Sequence, residues 1–214
     1  MIRVKICCIK NVDEARIAVE TGASALGFVS AMPSGPGVIS EAEIARIVKT
    51  VPPAVGTFLL TSKRSCAEIL KQHLVCGTNT IQFTDSLPLE ELLKLKKTLC
   101  GISLVQVIHV TGEESIEEAV AVAPFVDAIL LDSGNPNLAV KELGGTGRVH
   151  DWNLSRRIRD AVSIPIFLAG GLRPDNVAEA IAKVIPFGLD LCSGVRTNDN
   201  LDPAKLKAFM AAVK

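Results

Sequence analysis

The chain has 214 residues, 48% hydrophobic and 21% charged, with Lys plus Arg equal to Asp plus Glu. Such a composition excludes a disordered chain, and zero net charge excludes a global field that draws nucleic acid. No stretch reaches the roughly 18 apolar residues of a membrane span, and the opening "MIRVKICC" lacks a signal-peptide core. The expectation is a cytoplasmic protein with no nucleic-acid and no membrane partner.

Short β-branched runs alternate with segments of helical period. The predicted strands, in chain order, are "RVKICC", "ALGFVS", "AVGTFLL", "TIQFTD", "SLVQVIHV", "DAILLD", "IPIFLAG" and "FGLDLCS". Between them, Asn11 with Glu14 and Ser40 with Glu43 have capping-box spacing. Gly22 suits a helix C-terminus, and Pro174 and Pro203 suit first helical positions, the latter behind Asp202 as cap. Uninterrupted alternation means a parallel sheet with helices outside. Eight units favour a closed α/β barrel, a (β/α)8 TIM barrel in a single domain over 1–214, over an open doubly wound sheet. Two long connections, 31–39 and 133–150, each follow a strand and so fall on the C-terminal face, where such barrels carry their sites.

Six cysteines and three histidines show no CxxC pair and no ligand spacing, so no metal site is predicted; most of the cysteines read as small buried residues. Cys7 and Cys8 separate by strand alternation. Val4 and Ile6 are apolar, as a helix-facing layer requires. Lys5 and Cys7 then point into the barrel, and Cys8 points toward the helices unless the strand has already ended. An ammonium beside Cys7 favours the thiolate and makes it a base or nucleophile; two ordinary buried cysteines are the competing reading. Asp132 closes the apolar run "AILL" and faces the mouth, where partial desolvation suits a general acid, or it merely closes the glycine-rich loop that follows. Gly170 and Gly171 follow the seventh strand, and Ser193 and Gly194 follow the eighth. Small residues in both loops, with a helix starting at Pro174, suit a phosphate.

"VKICCIKNVDEA", "AILLDS" followed by "GGTGRVHDW", "LAGGLRPDNV" and "GLDLCSGVR" occur in this order. Together they resemble the phosphoribosylanthranilate isomerase family of tryptophan biosynthesis over nearly the whole chain. The resemblance implies an Amadori rearrangement of a phosphorylated aminosugar, N-(5-phosphoribosyl)anthranilate, to 1-(2-carboxyphenylamino)-1-deoxyribulose 5-phosphate, with no metal or organic cofactor. It implies Asp132 as the acid at the ring oxygen and Cys7 as the base at C2. The two glycine loops would hold the phosphate, with Lys5 and Gln82 on the substrate side.

The chain departs from the family pattern in four places. Cys8 stands where the family usually has glycine, and Thr84 where it has histidine. Arg196 stands where it has an acid, and Gly37 where it has the arginine that pairs with the anthranilate carboxylate. Arg196, Arg148 and Lys10 are the candidate replacement cations. The alternatives are a barrel isomerase of the same mechanism acting on another phosphorylated aminosugar, and a non-catalytic relative that binds a phosphoribosyl ligand. Monomer and homodimer both remain open.

Overall fold

Eight parallel strands close on themselves in chain order, each bonded to the next and the eighth to the first. The computed structural model describes residues 2–135, 138, 141–145 and 147–213; Pro136, Asn137, Ala139, Val140 and Thr146 of the long connection at 133–150 lie outside these. The first half runs β1 (Arg3–Ile6), α1 (Val12–Glu20), β2 (Ala25–Val29), α2 (Glu41–Val48), β3 (Gly56–Thr61), α3 (Cys66–Cys76), β4 (Thr80–Phe83) and α4 (Leu89–Thr98). The second half runs β5 (Ser103–His109), α5 (Glu114–Val122), β6 (Ala128–Asp132), α6 (Trp152–Ala161), β7 (Ile166–Leu168), α7 (Val177–Val184), β8 (Gly188–Leu191) and α8 (Pro203–Ala212). This is the (β/α)8 barrel expected from the strand count. Among the described residues, no helix is long and apolar enough to cross a membrane.

Alternation along the strands sorts the core into two layers. Val4, Ile6, Leu26, Phe28, Leu59, Ile81, Ile129, Leu131 and Leu189 pack outward against the helices. Ala25, Val29, Phe58, Leu60, Val105, Val107, Ala128, Leu130 and Phe167 fill the interior. Phe58 and Phe167 meet edge-on there, 6.0 Å between centroids, and Phe167 fits because position 188 is glycine: a β-carbon there would lie 2.7 Å from its ring.

The predicted caps form. Asn11 accepts the Glu14 N–H at 2.9 Å and Ser40 the Glu43 N–H at 3.2 Å. Asp202 caps α8, with Pro203 as its first residue, and Gly22 turns left-handed after α1 (φ 102°). Two boundaries differ from expectation. α7 starts at Val177, not Pro174. Asn176 accepts the Arg173 N–H at 2.8 Å and donates its amide to the Gly171 carbonyl at 3.0 Å, so the residues between form a turn. β1 ends at Ile6, before the cysteines. A two-stranded ribbon that the sequence did not suggest follows β8. It pairs β9 (Arg196–Thr197) with β10 (Asn200–Leu201), and its turn residues Asn198 and Asp199 take positive φ, as tight hairpins require.

Candidate active site

The register of β1 on β8 sets Lys5 opposite Asp190. Lys5 Nζ donates to Asp190 Oδ1 at 2.7 Å, and the lysine side chain is wholly buried. A buried ammonium persists only with such a partner. Burial works against its charge, but the Asp190 carboxylate and then the Cys7 sulfur outweigh it, so the lysine stays protonated, its pKa raised. Gly27 on β2 leaves the space: a β-carbon there would lie 2.9 Å from both Lys5 Nζ and Cys7 Sγ.

Cys7 sits just past the end of β1, its N–H bonded to the Leu191 carbonyl at 2.7 Å. Its pKa lies below the ordinary thiol value. The Cys8 thiol contributes most, burial opposes it, and Lys5 and the Cys8 N–H add to the lowering. Asp132 ends β6 on the inward side of the alternation, and its carboxyl is pushed up by burial, against the Ser133 N–H that donates to Oδ1 at 2.7 Å. Glycine at 144 lets the long loop pass close over this carboxyl, since a β-carbon there would lie 2.6 Å from Asp132 Oδ2. A thiol pushed down and a carboxyl pushed up share one cavity. Opposite shifts of that kind separate a proton acceptor from a proton donor.

Gly170, Gly171, Ser193 and Gly194 form part of the cavity wall. Gly170 and Gly171 take left-handed backbone (φ 81° and 61°). A β-carbon on Gly171 would lie 2.7 Å from the Arg148 backbone, and one on Gly194 would collide with the Leu172 carbonyl. Bare backbone with a short helical turn, Ser193–Val195, suits an anion. Met32, Ser34 and Pro36 of the 31–39 loop and Leu143, Gly144 and Gly145 line the cavity too, with Gly145 against the Pro36 ring. These loops touch: Ser34 Oγ donates to the Lys141 carbonyl at 2.5 Å.

Of the residues predicted from sequence, Cys7, Gln82, Asp132, Gly170, Gly171, Ser193 and Gly194 line this single cavity, and Lys5 lies buried beside Cys7. Gln82 Oε1 is buried without a protein partner. The proposed cations do not reach the cavity wall. Arg196 is bound to Glu14 through both nitrogens (Nη1–Oε1 3.2 Å, Nη2–Oε2 2.9 Å) and to the Cys8 carbonyl. Lys10 pairs with Asp199 at 2.9 Å and Arg148 with Glu142. Because β1 ends at Ile6, Cys8 takes the other course the sequence allowed, that of a residue past the strand end. With φ 64° its backbone is left-handed, and its side chain joins the interior layer beside Cys7 instead of facing the helices. Asp190 is the residue that sequence reading missed. Its signal was a lone acid in "GLDLC", on the inward side of that strand and needed by a lysine buried in the next. Among the described residues, no group of three or more His, Cys, Asp or Glu is placed to hold a metal ion.

The model of the N-(5'-phosphoribosyl)anthranilate (PRA) isomerase family matches residues 4–212. The chain belongs to this family. It is 34% identical to N-(5'-phosphoribosyl)anthranilate isomerase 2 of Methanosarcina mazei, over 100% of this chain and 94% of that one. It is 35% identical to the isomerase of Methanocella arvoryzae, over 100% and 99%. The solved phosphoribosyl anthranilate isomerase of Thermotoga maritima superposes with a TM-score of 0.85 at 33% identity, covering 99% of this chain and 98% of that one. A PRA isomerase solved in complex with reduced 1-(o-carboxyphenylamino)-1-deoxyribulose 5-phosphate superposes with a TM-score of 0.83 at 31% identity, covering 99% and 98%.

Proposed function

We propose that this chain is a phosphoribosylanthranilate isomerase whose proton transfers run between Asp132 and Cys7. The observation that carries the reading is the placement of Cys7 and Asp132 in the wall of one cavity that also holds a bare-backbone anion cradle. The substrate's phosphate lies against Gly170, Gly171, Ser193 and Gly194, and its aromatic ring between Met32, Pro36 and Leu143. Protonated Asp132 gives its proton to the furanose ring oxygen. The C1–O bond breaks and a protonated Schiff base forms at C1. Cys7 thiolate then takes the proton from C2, leaving an enolamine that ketonises by gaining a proton at C1 and losing one from the C2 hydroxyl. Lys5 keeps charge beside the thiolate, and Gln82 Oε1 accepts a hydrogen bond from a sugar hydroxyl.

The test generates phosphoribosylanthranilate in situ and follows loss of its fluorescence. Cys7→Ser and Asp132→Asn should each lower kcat by about 10²–10⁴-fold, the usual contribution of a positioned acid or base. Full turnover in either variant would remove that residue from the mechanism, and absence of turnover in the parent protein would remove the substrate.

A further inference from the structure

We propose that Cys8 is a positioning residue for Cys7, its thiol turned into the barrel mouth to donate a hydrogen bond to the neighbouring sulfur. The inference rests on Cys7 being the base, and it adds a role at a position where the family pattern carries no side chain.

Three observations support it. Simple alternation would send residue 8 outward with Val4 and Ile6, but the left-handed backbone (φ 64°) puts its side chain in the interior layer with Cys7, the layer against which Cys192 also packs. A β-carbon in that conformation is strained, and glycine would relieve it. The strain is held by a built support. Arg196 donates to the Cys8 carbonyl, and Arg196 is itself fixed by Glu14, which also accepts the Leu201 and Lys10 N–H groups at 3.0 Å each. Room is made as well. Gly37 is left-handed (φ 77°), and a β-carbon on it would lie 2.5 Å from the Cys8 Cβ. A side chain at position 8 and none at position 37 therefore go together.

The chemistry agrees with the geometry. The neighbouring thiols Cys192 and Cys7, then burial, push the Cys8 thiol well above its ordinary value, so it keeps its proton and can donate. The charged and titratable groups around Cys7 are Lys5 on β1, Asp190 from β8, and Cys8 itself; Cys192 and Arg196 adjoin Cys8. Lys5 also favours the Cys7 thiolate, but it is tied to Asp190 at 2.7 Å, so removing it strands that carboxylate. That leaves the Cys8 S–H as the donor that a substitution can remove without uncovering a buried charge.

The experiment alkylates the protein with iodoacetamide across a range of pH and reads Cys7 by peptide mass spectrometry, in Cys8→Gly, Cys8→Ser and the parent. Glycine suits the left-handed backbone, so Cys8→Gly should keep or raise the melting temperature. At pH 7 its Cys7 should react more slowly than in the parent, and its alkylation profile should move to higher pH. Cys8→Ser keeps an O–H donor and should stay within about twofold of the parent. The acid limb of kcat should move up in Cys8→Gly with KM unchanged. A Cys7 pH profile identical in Cys8→Gly and the parent would overturn the proposal, and so would equal loss in Cys8→Gly and Cys8→Ser. Because alkylation needs no substrate, a protein that fails to turn over phosphoribosylanthranilate yet shows the Cys7 shift would refute the substrate assignment and leave Cys8 in its role.

Discussion

Arg196→Ala separates a substrate ligand from a structural ion pair. Arg196 and Glu14 are 5% and 7% exposed, in a two-point contact at 3.2 and 2.9 Å. Removing the guanidinium leaves a buried carboxylate held only by two backbone N–H groups. Breaking a buried pair in this way costs about 3–5 kcal/mol. For a chain of this size that corresponds to a fall of about 6–20 °C in Tm. KM for phosphoribosylanthranilate should stay within about twofold, because a group that never touches substrate supplies no uniform binding. The pH dependence has a definite sign. Burial would raise the Glu14 pKa, but Arg196 and the Leu201 N–H outweigh it and hold it below 4.5. Its contribution is therefore complete above pH 4.5 in the parent and is lost as pH falls through the lowered value. Scanning calorimetry at pH 7 and at acid pH, with steady-state kinetics at pH 7, checks all of this. A Tm within about 2 °C of the parent together with a tenfold rise in KM would refute the reasoning, since it would mean the arginine faces the substrate.

Further perturbations test the rest of the site. Lys5→Met leaves Asp190 buried without its 2.7 Å partner and removes the ammonium beside Cys7; the acid limb of kcat should move to higher pH, and an unmoved limb would show that Lys5 does not act on the thiol. Gly27→Ala places a β-carbon 2.9 Å from Cys7 Sγ and Lys5 Nζ, so kcat should fall by about 10²-fold through misplacement of the base, and an active, unshifted enzyme would mean the pair can move aside. Gly37→Arg restores the residue usual in the family but meets Cys8 and an unfavourable φ of 77°. Its loss of Tm should be partly reversed by adding Cys8→Gly, and strict additivity of the two changes would show that the positions are independent.

The strand order, the barrel and most of the cavity were legible in the sequence for local reasons. Period-two runs separated by capped helical segments can close in few ways. The same alternation that turns Val4 and Ile6 outward turns Lys5 inward, and that of β6 turns Asp132 inward. Motif order carried the glycine cradle, because bare backbone must recur at the same strand ends. What the tertiary structure decided are the pairings between distant residues. Asp190 meets Lys5 only because β8 closes on β1. Arg196 turns from substrate to Glu14 only because a ribbon at Asn198 and Asp199 folds it back onto α1. The side chain of Cys8 faces the mouth only because a positive φ breaks the alternation just past the strand. Local pattern determines which face a residue takes while the strand lasts. Beyond the strand end, the direction of a side chain and the partner of a charge follow from contacts across the closed barrel, which no stretch of sequence contains.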